Sequence, residues 1–290
     1  MDTNYEDMVG FYRIDKEDRQ YLLSTQTNAS YLSFGDLPER VDPRNHPLFD
    51  QNFLQIENQG SIGSCAGCAL TENMEYCYTV ATGKVLQFSK MYAYLRTQIF
   101  DGINGDRGST ISGGTKTAKD NGICRQDIAP YPNSYPGRSW ITREMNDDAS
   151  KYKLLSHTNM NSSQEIKSFI GSGIGIVQIG ISWNNSMSPA SNGTITNFSS
   201  GGGGGHSVVF AGYVPDSDVG VRSSTGYWFL LKNSWGTRWG VKGYAYLDPK
   251  AVEQMLRHQW TVMIGRSEMQ SPEPRPVPVD FTKPGQSMYA

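Results

Sequence analysis

Cys65 follows the glycine-bearing stretch Asn58-Gln59-Gly60-Ser61-Ile62-Gly63-Ser64 and opens a run of helical periodicity. A thiol at a helix N-terminus lies at the positive end of the helix dipole, which favours the thiolate, the form that attacks a carbonyl. Such an attack needs a base that returns a proton to the leaving group, a residue that orients the base, and donors for the oxyanion. The chain offers a candidate for each. His206 comes directly after the glycines 201–205, at the start of an expected strand, where glycine leaves the backbone able to bring an imidazole close to other elements. Asn233 lies in LLKNSWGTRWG, where an amide oxygen can accept from the imidazole and hold its tautomer. Gln59 sits on the loop before Cys65, able to fold its amide over an oxyanion beside the Cys65 backbone N–H.

The elements that must position these residues change character midway. Ala66, Leu70, Met74, Cys77, Tyr78 and Ala81 recur at three- and four-residue spacings, which predicts an amphipathic helix over 65–81 stopped by Gly83. A second helix is expected over 89–100. Ser162 and Glu165 form a capping-box pattern that opens a short helix ended by Gly171. Strands are expected at 174–183, 207–213, 227–232 and 243–247, each rich in β-branched or aromatic residues and bounded by Gly, Asn and Ser. Helices first and strands second point to an α+β fold of two lobes, helical over about 45–150 and β-rich over about 151–270, with a site in the cleft between them. Residues 1–36, polar and Tyr-studded, are expected to be a leader. Residues 271–290, rich in proline, are expected to be an extended tail.

Composition removes other classes. A chain of 290 residues is long enough to bury a sizeable core without disulfide staples. Its formal charge of −2 provides no basic field for nucleic acid or anionic lipid, so neither is an expected partner. The most apolar stretch, 169–181, is shorter than the roughly 20 residues that cross a bilayer. The opening residues carry acids early and no apolar block, so Sec export is not expected, and four cysteines without such a signal fit a reducing, cytoplasmic setting. Cys65-x-x-Cys68 lacks the βαβ context of a redox pair, and a zinc site there lacks a second ligand pair. The glycine run lacks the Gly-Lys-Ser/Thr ending that binds phosphate and reads as a hairpin loop. No cofactor or metal is implied.

Gln59-Gly60-Ser61-Ile62-Gly63-Ser64-Cys65, His206-Ser-Val-Val-x-x-Gly-Tyr and Lys232-Asn233-Ser234-Trp235-Gly236-Thr-x-Trp239-Gly240-x-x-Gly243-Tyr244 resemble the papain-like cysteine proteases. Leu37-Pro38-Glu39-x-Val41-Asp42 is similar to the start of that family's mature domain, and the resemblance runs over about 37–265. His206 follows Cys65 by 141 residues, inside the ~130–150 separation of such enzymes.

The resemblance implies a two-lobed α+β fold with a helical left lobe, a β-barrel-like right lobe and the cleft between them. It implies a cysteine endopeptidase with Cys65 as nucleophile, His206 as its partner, Asn233 as orienter, Gln59 as oxyanion donor and Trp235 shielding the His–Asn bond. The implied resting state is a thiolate–imidazolium pair. Ser112-Gly113-Gly114 resembles the segment whose backbone takes up substrate, and by matching position Gly113, Gly114, Thr115, Lys116, Gly204, Gly205, Ser207 and Trp235 are the substrate-binding candidates. The expected partners are peptide or protein substrates and the chain's own leader lying across the cleft of a monomer, in the manner of a zymogen. Ile62 stands where the family carries a disulfide cysteine, and Ala66 stands where it carries tryptophan, which implies added space beside the nucleophile. An acyl transferase or deamidase on the same scaffold, or an inactive binding module, are the alternatives.

Overall fold

The computed structural model describes residues 37–49, 55–199, 203–258, 261–270 and 272. The expected leader, and the expected tail apart from Pro272, lie outside the described residues.

Helix α1, Cys65–Thr82, ends where Gly83 takes the left-handed conformation (φ 70°) and returns its N–H to Thr79 O. Helix α2, Lys90–Asp101, begins at Ser89, whose side chain accepts the Tyr92 N–H, and stops at Gly102 in the same left-handed cap. The two helices approach closely at Gly67, where a Cβ would lie 2.8 Å from Lys90 O. Short helices α3, Ile111–Lys116, and α4, Arg143–Ala149, follow, and neither was expected from periodicity. Helix α5, Ser163–Gly171, starts as the capping pattern predicts, with Ser162 Oγ accepting the Glu165 N–H, while the Glu165 carboxylate turns to the Asn161 N–H. Helices α6, Asp216–Val219, and α7, Pro249–Leu256, complete the described α-helices.

The strands are β1 Lys153–Asn159, β2 Gly175–Ser182, β3 Thr194–Ile195, β4 Gly205–Pro215, β5 Tyr227–Lys232, β6 Tyr244–Leu247 and β7 Val262–Gln270. They form one sheet in the order β1-β7-β2-β4-β5-β6-β3, antiparallel except for the short β3–β6 pair. The sheet is open, with β1 and β3 at its edges, which corrects the expected barrel-like lobe. Sequence patterning missed β1, β7 and the two-residue β3. In β7 the polar run Arg266-Ser267-Glu268 hides the alternation, although Arg266 and Ser267 are buried.

Helix α1 lies between α2 and α3 on one side and β2, β4 and β7 on the other. It is buried on nearly every face rather than amphipathic, so its acids need partners inside. Glu72 pairs with Lys232 of β5 at 3.3 Å, and Glu75 pairs with Lys90 of α2 at 3.2 Å. Lys90 also reaches Glu57 at 2.8 Å. The main apolar core fills the other face of the sheet, where Phe169, Phe210, Phe229, Leu231 and Met255 pack with Trp183 and Trp235. A second core, including Leu70, Met74, Phe88, Tyr92 and Ile123, joins the helices. No described helix is long and apolar enough to cross a membrane.

Candidate active site

Cys65 is the first residue of α1 and is fully buried with Ala66, Ile111, Val262 and Ile264. Ala66, which stands where the family carries tryptophan, is itself buried in this cluster. None of the four cysteines forms a disulfide. Cys68, one turn on, is buried, and burial holds its thiol well above the usual range, so it is a poor nucleophile.

His206 is the second residue of β4, opposite Ile181 of β2. Its Nε2 lies 2.8 Å from Asn233 Oδ1, an oxygen that also accepts the Ser234 N–H at 2.8 Å. An amide oxygen only accepts, so Nε2 carries the hydrogen and Nδ1 of a neutral ring bears the lone pair. Nδ1 is buried and has no hydrogen-bond partner among the described residues. The ring stacks on Trp235 at 4.4 Å and takes the edge of Trp183 at 4.8 Å. Burial pushes the imidazole down to about 4 against the smaller upward pull of the Asn233 bond.

Gln178 of β2 joins the chain beside Cys65 to the chain beside His206. Its Nε2 donates to Ala66 O at 3.2 Å and to Ser207 Oγ at 2.9 Å, so the two candidate reactive residues are next to residues held by one amide. Gln59 is buried on the loop before α1. Its Nε2 donates to Ile62 O at 2.9 Å, its Oε1 accepts from Ser234 Oγ at 2.7 Å, and its backbone N–H donates to Ser234 O at 2.9 Å. Gln59, Ser234, Asn233 and His206 are thus joined by consecutive hydrogen bonds, and Cys65 lies at the α1 N-terminus that the Gln59 loop leads into.

The substrate-binding candidates divide. Trp235 covers the His206 ring, and Gly205 starts β4 at a half-buried position. Gly113 and Gly114 lie inside α3, their N–H groups bonded to Thr110 Oγ1 and Thr110 O, so the helix itself uses the donors expected to meet substrate. Ser207 turns to the face opposite His206, as alternation along a strand requires, and its hydroxyl donates to Ile179 O. Thr115 is buried, donating to Ile111 O and accepting from Arg266 Nη2 at 2.9 Å. Neither side chain opens to solvent.

Trp183 and Ser234 were not singled out from sequence. The only signal for Trp183 was its place at the end of an expected strand. Glycine at 203 has its explanation here, because a Cβ there (φ +82°) would fall 1.6 Å from Trp183 O, while Trp183 N–H bonds to Gly204 O.

A family model described as papain family cysteine protease matches residues 37–262. Cathepsin F of Drosophila melanogaster is 26% identical over 262 residues, covering 83% of this chain, while this chain spans only 38% of that relative. Among solved structures, xylellain, a cysteine protease from Xylella fastidiosa, superposes with a TM-score of 0.67 at 20% identity, over 92% of this chain and 98% of that one. The Amb a 11 cysteine protease, a ragweed pollen allergen in its proform, gives 0.64 at 20% identity, over 92% and 78%. These two likenesses concern the fold alone.

Proposed function

Because the chain belongs to the papain family of cysteine proteases, we propose that it is an endopeptidase in which Cys65 attacks the peptide carbonyl and His206 carries the proton. The observation that carries this reading is the His206–Asn233 hydrogen bond. It fixes the hydrogen on Nε2 and leaves the Nδ1 lone pair, buried and without a hydrogen-bond partner, to take a proton from a thiol. Burial alone favours the neutral imidazole. A thiolate formed at Cys65 opposes that effect, since each charge stabilises the other, and the indole face of Trp235 adds a cation–π contribution.

The thiolate sulfur bonds to the carbonyl carbon, and the carbonyl π electrons move to oxygen. Gln59 Nε2 and the Cys65 backbone N–H, at the α1 N-terminus, donate to that oxyanion. Collapse of the adduct breaks the C–N bond as His206 Nδ1–H protonates the departing amine. Water, deprotonated by the now neutral Nδ1, then hydrolyses the thioester and returns the thiol. Asn233 keeps the ring in one orientation throughout.

Residues 1–36 are proposed to act as a pro-segment across the cleft, in the way that the proform named for the ragweed relative suggests. Hydrolysis of a fluorogenic peptide should rise when they are removed, and an equal rate before and after removal counts against that role. For the chemistry itself, an epoxide inhibitor of cysteine proteases should label Cys65 and block hydrolysis, and Cys65→Ala should abolish both. Labelling at Cys68 instead would sink the assignment.

A further inference from the structure

We propose that Tyr131, assisted by Asp106, is a positioning residue that holds the 59–64 loop in the geometry its oxyanion donors need, by hydrogen bonds in place of a disulfide. The inference rests on the roles proposed above for Cys65 and Gln59.

The loop contains Gly60, at φ +60°, and Gly63, and Ile62 stands where the family carries a disulfide cysteine. Ile62 packs against Met91, Tyr94 and Leu95, a contact that fills space without fixing direction. Direction comes from Tyr131. Its hydroxyl donates to Gln59 O at 3.0 Å and lies 2.6 Å from Ser64 Oγ. A phenol has one hydrogen, so Ser64 must donate to the Tyr131 oxygen, which orders the three groups as Ser64→Tyr131→Gln59, each bond polarising the next. Ser64 is available for this because its side chain does not cap α1.

The two ends of this bridge are the two places that matter. Gln59 bears the proposed side-chain donor, and the peptide joining Ser64 to Cys65 bears the proposed backbone donor. Between them the Gly63 N–H donates to Asp106 Oδ1 at 2.9 Å, and Tyr94 Oη donates to the same oxygen at 2.7 Å. Tyr94 is fixed in turn by the Gly108 N–H and by Gln98 Nε2, each at 3.0 Å. Preorganised donors stabilise a developing oxyanion only when they already point at it, so loosening this loop slows the chemical step more than it weakens substrate binding.

The test compares two reactions of the same sulfur in the full chain. Peptide hydrolysis passes through an oxyanion. Alkylation by iodoacetamide forms a C–S bond and releases iodide from a saturated carbon, with no oxyanion. Tyr131→Phe should lower kcat for a fluorogenic peptide by about 10-fold with KM within about twofold, while alkylation of Cys65 keeps the wild-type rate. Asp106→Ala should show the same split. Ser64→Ala should do so too, and Ser64→Ala combined with Tyr131→Phe should lose no more than the larger single effect, because both break one bridge. Wild-type kcat in Tyr131→Phe, independent losses in the double variant, or alkylation falling in step with hydrolysis would overturn the inference. A wild-type chain whose Cys65 alkylates yet hydrolyses no peptide removes the proposed function first, and this inference with it.

Discussion

Ser234 grips Gln59 from two directions: its carbonyl accepts the Gln59 backbone N–H at 2.9 Å, and its hydroxyl donates to Gln59 Oε1 at 2.7 Å. The Ser234 N–H meanwhile donates to Asn233 Oδ1, the oxygen that receives His206 Nε2. One small residue thus ties the proposed oxyanion donor to the proposed proton carrier.

Ser234→Ala removes one of the bonds that orient the Gln59 amide. The expected outcome is a fall in kcat of about 5- to 10-fold, the value of one hydrogen bond, with KM little changed. Steady-state kinetics on a fluorogenic peptide checks this, and an unchanged kcat would show that the remaining bonds hold Gln59 by themselves.

Asn233→Ala leaves the buried Nε2–H of His206 without an acceptor and allows the ring to turn. Activity should fall by roughly 10- to 100-fold, and the folded state should lose about 1–3 kcal/mol. Urea denaturation beside kinetics separates the two effects; a variant as stable and as active as the parent contradicts the orienting role.

Protonation of His206 distinguishes the isolated ring from the ion pair. In Cys65→Ala no thiolate opposes burial, so His206 should stay neutral down to about pH 4. Its folded value then lies below the ordinary 6.5, the unfolded chain takes up the proton first, and the stability from this group, present above pH 6.5, is lost as pH falls toward 4. With Cys65 present, ring and sulfur titrate as a coupled pair, and the imidazolium should persist to higher pH. Ring proton shifts of His206 by NMR in both proteins provide the measurement. Identical titrations would mean that no ion pair forms.

Lys232 and Glu72 are both buried, and their bond joins the strand leading into Asn233 to the helix that begins at Cys65. Burial pushes Glu72 up to about 7 while Lys232 pulls it down. Lys232→Met leaves a carboxyl whose value rises further, and it should destabilise the fold by about 3–5 kcal/mol at neutral pH. A carboxyl raised above its unfolded value of 4.5 stabilises least at high pH, so the variant should be more stable at pH 5 than at pH 8. Denaturation at both pH values tests the sign, and a deficit that is larger at pH 5 would refute it.

Much of the local architecture was legible in the residues. The Gly83 stop, the Ser162 cap and the strand at 227–232 are all present, because caps and alternation are short-range effects. Residues 59, 206, 233 and 235 of the motifs are joined in the fold by hydrogen bonds through Ser234 and by ring stacking. Strand β7 was illegible because its pattern is interrupted by Arg266, which is buried through bonds to Gln178 and Thr115 on two other elements. Thr115 and Ser207 stand at positions that the family resemblance made substrate-facing, yet Arg266 and Gln178 draw both inward.

Sequence alone determined which chemical groups the chain carries and the backbone turns that begin and end the elements bearing them, since those depend on neighbours a few residues away. Tertiary structure decided how the groups are held: Tyr131 against Ser64, Ser234 against Gln59 and Lys232 against Glu72 are partners separated by 67, 175 and 160 residues. Such pairs form only when tertiary packing removes water and leaves buried polar groups with protein partners alone within reach, and no local spacing encodes that choice.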